Sequence, residues 1–296
     1  MEIQVINWQN LFKELNLYSF IDKRVMKRIS IIKYKRTLSG RESRVLSELS
    51  YRNKRIFTLD DIRDLVEKPK NFLDQLTRKK WILKIRRSVY VIVPFETGNA
   101  GADSYTMHSF VIGSLLTKPY YIGYWSALNY HGLTEQTPSS VYIVTPKPKN
   151  SRTILDVRYV FVTIRPHKIF GTEQIEIEKR KIIVSSPEKT IVDCLDHPEH
   201  CGGTEEIAKS IYFSKNELDV KKIINYAKDI GNTAVIKRLG YICEIFQWHD
   251  YLDLLSPVKL KSGYSLLDPT RPKDGHIREK WKIMVNVPIE PKRWMQ

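Results

Sequence analysis

The sequence predicts an α+β protein in two parts, a small helical domain closed by a basic hairpin and a larger mixed α/β domain. Three observations lead there. Residues 39–94 hold three helix-spaced segments and then two short strand-like ones. Residues 94–105 have the composition of a linker, and beyond them strand-like runs intersperse with helical ones. At 296 residues the chain is too long for the first domain alone, so a second of ordinary size follows.

The first helix is announced by Ser39 and Glu42, the order in which a serine hydroxyl caps the third amide and a glutamate reaches back to the cap. Val45, Leu46 and Leu49 then share one face, and Tyr51 to Lys54 reads as the break. Thr58 and Asp61 repeat the capping order, with Phe57 and Ile62 spaced as a hydrophobic staple, which predicts a second helix whose Ile62, Leu65 and Val66 face inward. Lys68 and Pro69 end it and open a third helix over about 70–80, because proline suits a first turn and not an interior. On that helix Phe72, Leu73 and Leu76 share one face, while Asn71, Gln75 and Arg78 share the opposite one. Asp74 lies near them; it would repel phosphates, and Arg78 at i+4 offsets its charge.

After Trp81 the period changes to that of a strand, with Leu83 and Ile85 inward and Lys84 and Arg86 outward. Arg87 and Ser88 form the tip, and Val89 to Val93 the return strand, closed by Pro94. Three helices and a basic hairpin make the winged helix-turn-helix order, which places amide and guanidinium groups against base edges. Asn71, Gln75 and Arg78 are the candidate base contacts. Lys70, Lys79, Lys80, Lys84, Arg86, Arg87 and Ser88 are the candidate phosphate and wing contacts. The competing readings are charges that merely solvate a small helical domain and a pure protein-interaction module, of which the latter leaves the Asn71, Gln75 and Arg78 face unexplained.

Upstream, Trp8, Leu11, Phe12 and Leu15 predict a short helix, followed by a basic segment from Lys23 to Arg36 that reads as a solvated face rather than a DNA-contacting arm. The expected division is therefore 1–38 helical extension, 39–94 DNA-binding domain, 95–105 linker, 106–287 α/β domain and 288–296 tail. Within the second domain a short helix covers Ser126 to Tyr130 and ends at Gly132. Strands run over 141–145 and 157–164, and 173–177 with 181–184 forms a hairpin. Helices cover Pro187 to Asp196, 205–213, 219–230 and 233–254.

The net charge of +16 is uneven: the first hundred residues carry +11, the second hundred +1 and the remainder +4. Two thirds of the excess thus falls on the first hundred residues, which contain the part that already resembles a nucleic-acid binder, as phosphate neutralisation requires. No basic helix with an aromatic insertion face stands out, so a membrane surface is not the expected partner. Three cysteines make no disulfide framework, no charged-then-apolar leader opens the chain, and its most apolar window, near 109–130, is broken by Lys118 and Pro119. The expectation is a soluble, cytoplasmic protein.

At this point a family resemblance enters. The run Tyr120-Tyr-Ile-Gly-Tyr-Trp-Ser-Ala-Leu-Asn-Tyr-His-Gly-Leu-Thr-Glu-Gln136 is similar to the central signature of the AbiE-type antitoxins, the regulator half of type IV toxin–antitoxin pairs in phage defence. Ser186 to Asp196 followed by Gly202 and Gly203 agrees with that pattern, as do Lys237 to Tyr241 and Leu266 to Pro269 with Trp281 and Val285 to Val287. The likeness runs from about residue 40 to 287. It implies an N-terminal winged helix that represses its own operon by binding repeated operator sites. It implies further a C-terminal domain that counters a nucleotidyltransferase-like toxin, with no catalysis and no cofactor. The chain departs from the pattern at Ser88, where the wing often carries glycine, and at His197, where arginine is the more familiar residue.

Other constellations compete less well. Cys194, His197, His200 and Cys201 have residue types that can ligate zinc, but Cys194 falls on an apolar helix face where a free cysteine is packing. His131 reads as a helix C-terminal residue rather than a catalytic base. A nucleotidyltransferase would need Gly-Ser followed closely by an Asp-x-Asp pair, and Gly113-Ser114 has no aspartate before Asp156. The alternative function is a nucleic-acid-processing enzyme, a nuclease-like C-terminal domain targeted by the winged helix. Its acid-x-lysine pairs, Asp219 with Lys221 and Glu290 with Lys292, fall on a predicted helix and on the tail.

Overall fold

A computed structural model describes residues 36–294. They are mixed α/β, with nine α-helices and three sheets among the described residues. The contacts divide into two compact units, one ending at Tyr105 and one beginning at Thr106. The helix expected around Trp8 to Leu15 and most of the basic segment from Lys23 lie outside the described residues.

The first unit opens with α1 (Gly40–Tyr51), capped at both ends of its box: the Glu42 amide donates to the Ser39 hydroxyl, and the Glu42 carboxylate accepts from the Ser39 amide at 2.7 Å. The expected second helix is not one. Ile56–Thr58 forms a strand, β1, and only Asp60–Ile62 coils, as one 3-10 turn. Two β-branched residues and a phenylalanine favour a pleated strand, and β1 finds an antiparallel partner in β3 (Val89–Ile92), with Phe57 opposite Tyr90. The helix α2 (Pro69–Arg78) starts at its proline and buries Phe72, Leu73 and Leu76 as expected. Then come β2 (Ile82–Arg86) and β3, giving a three-stranded sheet of order β1-β3-β2. A bulge between Lys84 and Arg86 breaks the alternation, so that Ile82 and Ile85 are buried while Leu83 is only half-buried. The core joins Val45, Leu46 and Leu49 to Phe57, Ile62, Val66, Trp81 and Tyr90.

Residues 95–103, read as linker, coil as 3-10 turns and fasten to this same unit. Phe95 packs on Trp81, and the Arg36 guanidinium lies 3.7 Å from the centroid of that indole while donating to Thr97 and to the Gly98 and Val93 carbonyls. Lys80 pairs with Asp103.

The second unit is built on a six-stranded sheet of order β6-β7-β5-β4-β9-β8: β4 (Tyr121–Ile122), β5 (Ser140–Thr145), β6 (Arg152–Ile154), β7 (Val157–Thr163), β8 (Thr172–Ile177) and β9 (Arg180–Ser185). The pairs β5/β7 and β4/β9 are parallel and the other three antiparallel. α3 (Ser109–Leu116) and α4 (Tyr124–Tyr130) lie beside these strands. The hub is α5 (Pro187–Asp196), whose residues from Glu188 to Asp196 are all buried. Around it pack α4, α6 (Thr204–Phe213), α7 (Val220–Ile230) and α8 (Thr233–Ile245). The single helix expected over 233–254 is broken: α8 ends at Ile245 and α9 (His249–Leu255) begins anew, with Gln247 at φ 58 between them. A small sheet of order β10-β12-β11, made of Ser265–Leu266 (β10), His276–Arg278 (β11) and Ile283–Val285 (β12), follows. Among the described residues no helix is long and apolar enough to cross a membrane.

Candidate functional site

The candidate site grows from α2. Lys68 provides no side-chain cap, and Pro69 supplies the start of the helix through its fixed φ. Once Phe72, Leu73 and Leu76 are anchored in the core, the opposite side must face outward, and Asn71, Asp74, Gln75 and Arg78 are all exposed there. Lys70 is exposed on the first turn. Arg78 donates from Nε to the Asp74 carbonyl oxygen at 3.4 Å, not to its carboxylate.

Two of the expected phosphate contacts are committed elsewhere. Lys79 places its ammonium 2.8 and 2.7 Å from the two carboxylate oxygens of Glu42, which is buried, and Lys80 pairs with Asp103. Lys84 and Arg86 stand exposed on β2, opposite Tyr90 and Val89, and Arg87 and Ser88 form the exposed tip between β2 and β3. Ser88 has φ 60, the left-handed region that glycine occupies at no steric cost. The sequence reading passed over Arg41 and Arg44. Both are exposed on α1, where with Glu48 and Arg52 they line a shallow cleft against Leu65. Their i, i+3 spacing on a capped helix was the signal available for them.

The other candidate residues serve the scaffold. Cys194 and Cys201 are wholly buried, and burial pushes both thiols up. His200 sits between the rings of Tyr124 and Tyr142 and is pushed down by burial, while His197 reaches Glu199 at 2.9 Å. Among the described residues no group of three or more His, Cys, Asp or Glu side chains could hold a metal ion. Nε2 of His131 lies 2.7 Å from the Ser185 carbonyl and so ties α4 to the end of β9. Asp219 caps α7 by accepting from the Lys221 and Lys222 amides, and Ser114 donates within α3 to the Val111 carbonyl at 2.6 Å.

The segments that carry the family likeness turn out to be a buried polar framework. Lys189 and Asp193, i and i+4 on α5, form an ion pair inside the core, and the Tyr121 hydroxyl donates to the same aspartate at 2.9 Å. Burial pushes the Asp193 carboxyl up, with Lys189 opposing it. The Arg238 guanidinium is buried and spent on carbonyls, those of Leu266 at 3.1 Å, Leu267 at 3.0 Å and Leu195. Asp268 accepts from the Thr204 amide at 2.8 Å and exchanges backbone and side-chain hydrogen bonds with Asn286. Gly203, at φ 92, leaves room for that carboxylate: a Cβ there would meet Asp268 Oδ2 at 2.7 Å. Gly240 is bare because Trp281 lies on it, where a Cβ would fall 2.2 Å from the indole. Polar groups this deeply buried need these partners, so the signature reports how the unit folds.

Comparison with known proteins agrees with the C-terminal part of this picture. Residues 121–245 match the family model of the AbiEi antitoxin C-terminal domain. No curated protein matches the chain. Among solved structures, the crystal structure of the RV2827C protein from Mycobacterium tuberculosis superposes with a TM-score of 0.60 at 12% identity, over 84% of this chain and 92% of that one. That likeness is one of fold.

Proposed function

We propose, from the premise that this chain belongs to the AbiEi-type antitoxin family through residues 121–245, that it is the DNA-binding repressor and antitoxin of a type IV toxin–antitoxin system. On this reading residues 39–94 act as a winged helix-turn-helix on repeated operator sites and so limit expression of the operon. Residues 106–287 counter a nucleotidyltransferase-like toxin, without catalysis.

The observation that carries the DNA reading is the outward face of α2. Asn71, Gln75 and Arg78 are exposed on a helix whose other face is anchored by three core residues, and nothing in the core needs them. Amides suit adenine and a guanidinium suits guanine in a major groove. Lys70, Lys84, Arg86, Arg87 and Ser88 supply phosphate contacts around that face, joined by Arg41 and Arg44. Lys79 is held by the buried Glu42 and Lys80 pairs with Asp103, so both contribute less. The family match carries the antitoxin half.

Separation of the two activities tests the reading. Asn71→Ala, Gln75→Ala and Arg78→Ala should each cost about 1 to 3 kcal/mol on the operator and little on scrambled duplex. The same full-length variants should still rescue cells from the cognate toxin. Equal losses on both duplexes would move base reading away from α2.

A further inference from the structure

The reading face of α2 contains an acid. Asp74 is exposed between Asn71 and Arg78 and stands in no ion pair among the described residues; its i+4 neighbour Arg78 turns Nε to the Asp74 carbonyl instead. Lys79, the next cation along, is held by Glu42, and Lys80 by Asp103. A face meant only to hold phosphate would not carry an uncompensated carboxylate at its centre, since each approach to DNA brings that charge towards the phosphates.

A carboxylate is, however, an acceptor only, and the one exocyclic group in the major groove that donates from a pyrimidine is the N4 amino group of cytosine. We infer that Asp74 is a specificity-determining residue that accepts a hydrogen bond from a cytosine amino group in the operator. Opposite guanine or thymine the same carboxylate meets only acceptors and is repelled, and adenine sets its N7 acceptor beside its N6 donor, so cytosine is the best fit. Asp74 therefore acts twice, selecting a C·G pair and lowering the affinity for random DNA, while the exposed charges of the wing supply attraction that is blind to sequence. The residues divide accordingly: α2 offers Asn71, Asp74, Gln75 and Arg78, with no net charge between Asp74 and Arg78, and β2 with its tip offers Lys84, Arg86 and Arg87. This inference rests on the proposed DNA reading.

The test uses the full chain and a pool of randomised double-stranded DNA, from which bound sequences are selected and every base position is then varied. Asp74→Ala removes charge and acceptor; Asp74→Asn removes the charge and keeps an acceptor oxygen. The wild-type chain should prefer C·G at one position by about 5- to 150-fold. Asp74→Ala should lose that preference at that position alone. Asp74→Asn should keep part of it while binding random duplex several-fold more tightly. Because Asp74 is exposed and carries no core contact, both variants should melt as the wild type does. If Asp74→Ala tightens binding to every duplex by one common factor with base preferences unchanged, the residue only repels and the inference is overturned. If the wild-type chain selects no sequence at all, the DNA-binding reading itself is overturned, a result distinct from the former.

Discussion

Lys79 reaches Glu42 across 37 positions of sequence and holds both oxygens of its carboxylate, while the same carboxylate caps Ser39. One side chain thereby joins the start of α1 to the end of α2. Burial alone would push Glu42 up, but hydrogen bonds from Lys79 and Ser39 outweigh it, and its carboxyl sits below the usual glutamate range. A group whose folded-state pKa is depressed stabilises above its unfolded value, and that contribution is lost as pH falls through the folded value. Stability is therefore expected to decline below about pH 4.3 through this pair. Glu42→Ala should cost about 1 to 3 kcal/mol near neutrality and flatten that acid limb, read by denaturant unfolding across the pH range. An unchanged acid limb would assign it to other carboxylates.

The hairpin tip offers a gain. Ser88 holds φ 60, a region that costs a residue with a Cβ about 1 to 2 kcal/mol, against which glycine's extra freedom in the unfolded chain counts for about 0.4 to 1. Ser88→Gly is expected to raise stability by about 0.5 to 1 kcal/mol in denaturant unfolding. A loss would mean that the serine hydroxyl contributes more to the tip than its backbone costs.

DNA affinity is expected to fall steeply with salt. Changing Lys84, Arg86 and Arg87 to Ala should weaken operator and random duplex alike and reduce the slope of log affinity against log salt by roughly one unit per charge. Lys79→Ala should reduce that slope by less, since its ammonium is already paired. Filter binding at several salt concentrations reads both, and a flat wild-type slope would contradict the electrostatic part of the model.

In the second unit, Gly240→Ala would press a methyl into the indole of Trp281, where 2.2 Å is available to a Cβ. Overpacking of this kind costs about 1 to 3 kcal/mol. Thermal unfolding should show it, with weakened rescue from the toxin. Trp281 also donates to Glu244 at 2.7 Å, so its ring cannot move aside without breaking that bond.

The buried pair on α5 should respond asymmetrically. Asp193→Asn strands the Lys189 ammonium in the core and is expected to cost about 3 to 5 kcal/mol, whereas Lys189→Met with Asp193→Leu should cost far less. Equal costs in melting experiments would mean that the pair is stabilising in its own right.

Much of this was legible where the determinants are local. Ser39 with Glu42, Pro187, and the apolar triplet Phe72, Leu73 and Leu76 mark their helices within a few residues. The segment after Lys54 misled because Thr58 and Asp61 make the same side-chain bond in a capping box and in a strand that enters a 3-10 turn: Asp61 accepts from the Thr58 amide at 2.7 Å in the latter. What decided between them was β3, thirty residues on, which the local pattern does not contain. Lys79 and Lys80 were read as phosphate contacts for the same reason, since Glu42 and Asp103 are distant in sequence. The break at Gln247 has no glycine or proline to announce it. The signature of the second unit was legible as a likeness, and its physical content, buried ions and a glycine under a tryptophan, needed the tertiary structure.

The order of strands in the large sheet also sets a clock. β4 lies between β5 and β9, and Ile122 pairs with Val184, so the centre of the sheet stays open on one side until the ribosome has made everything between them. At about 5 to 20 residues per second that interval lasts some 3 to 12 s. The unit ending at Tyr105 holds all three strands of its own sheet and can close within that time. On the proposed function, a nascent chain would then acquire its capacity to meet DNA before its capacity to oppose a toxin, and a synonymous codon change that slows translation between residues 122 and 184 would lengthen the gap without altering either finished unit.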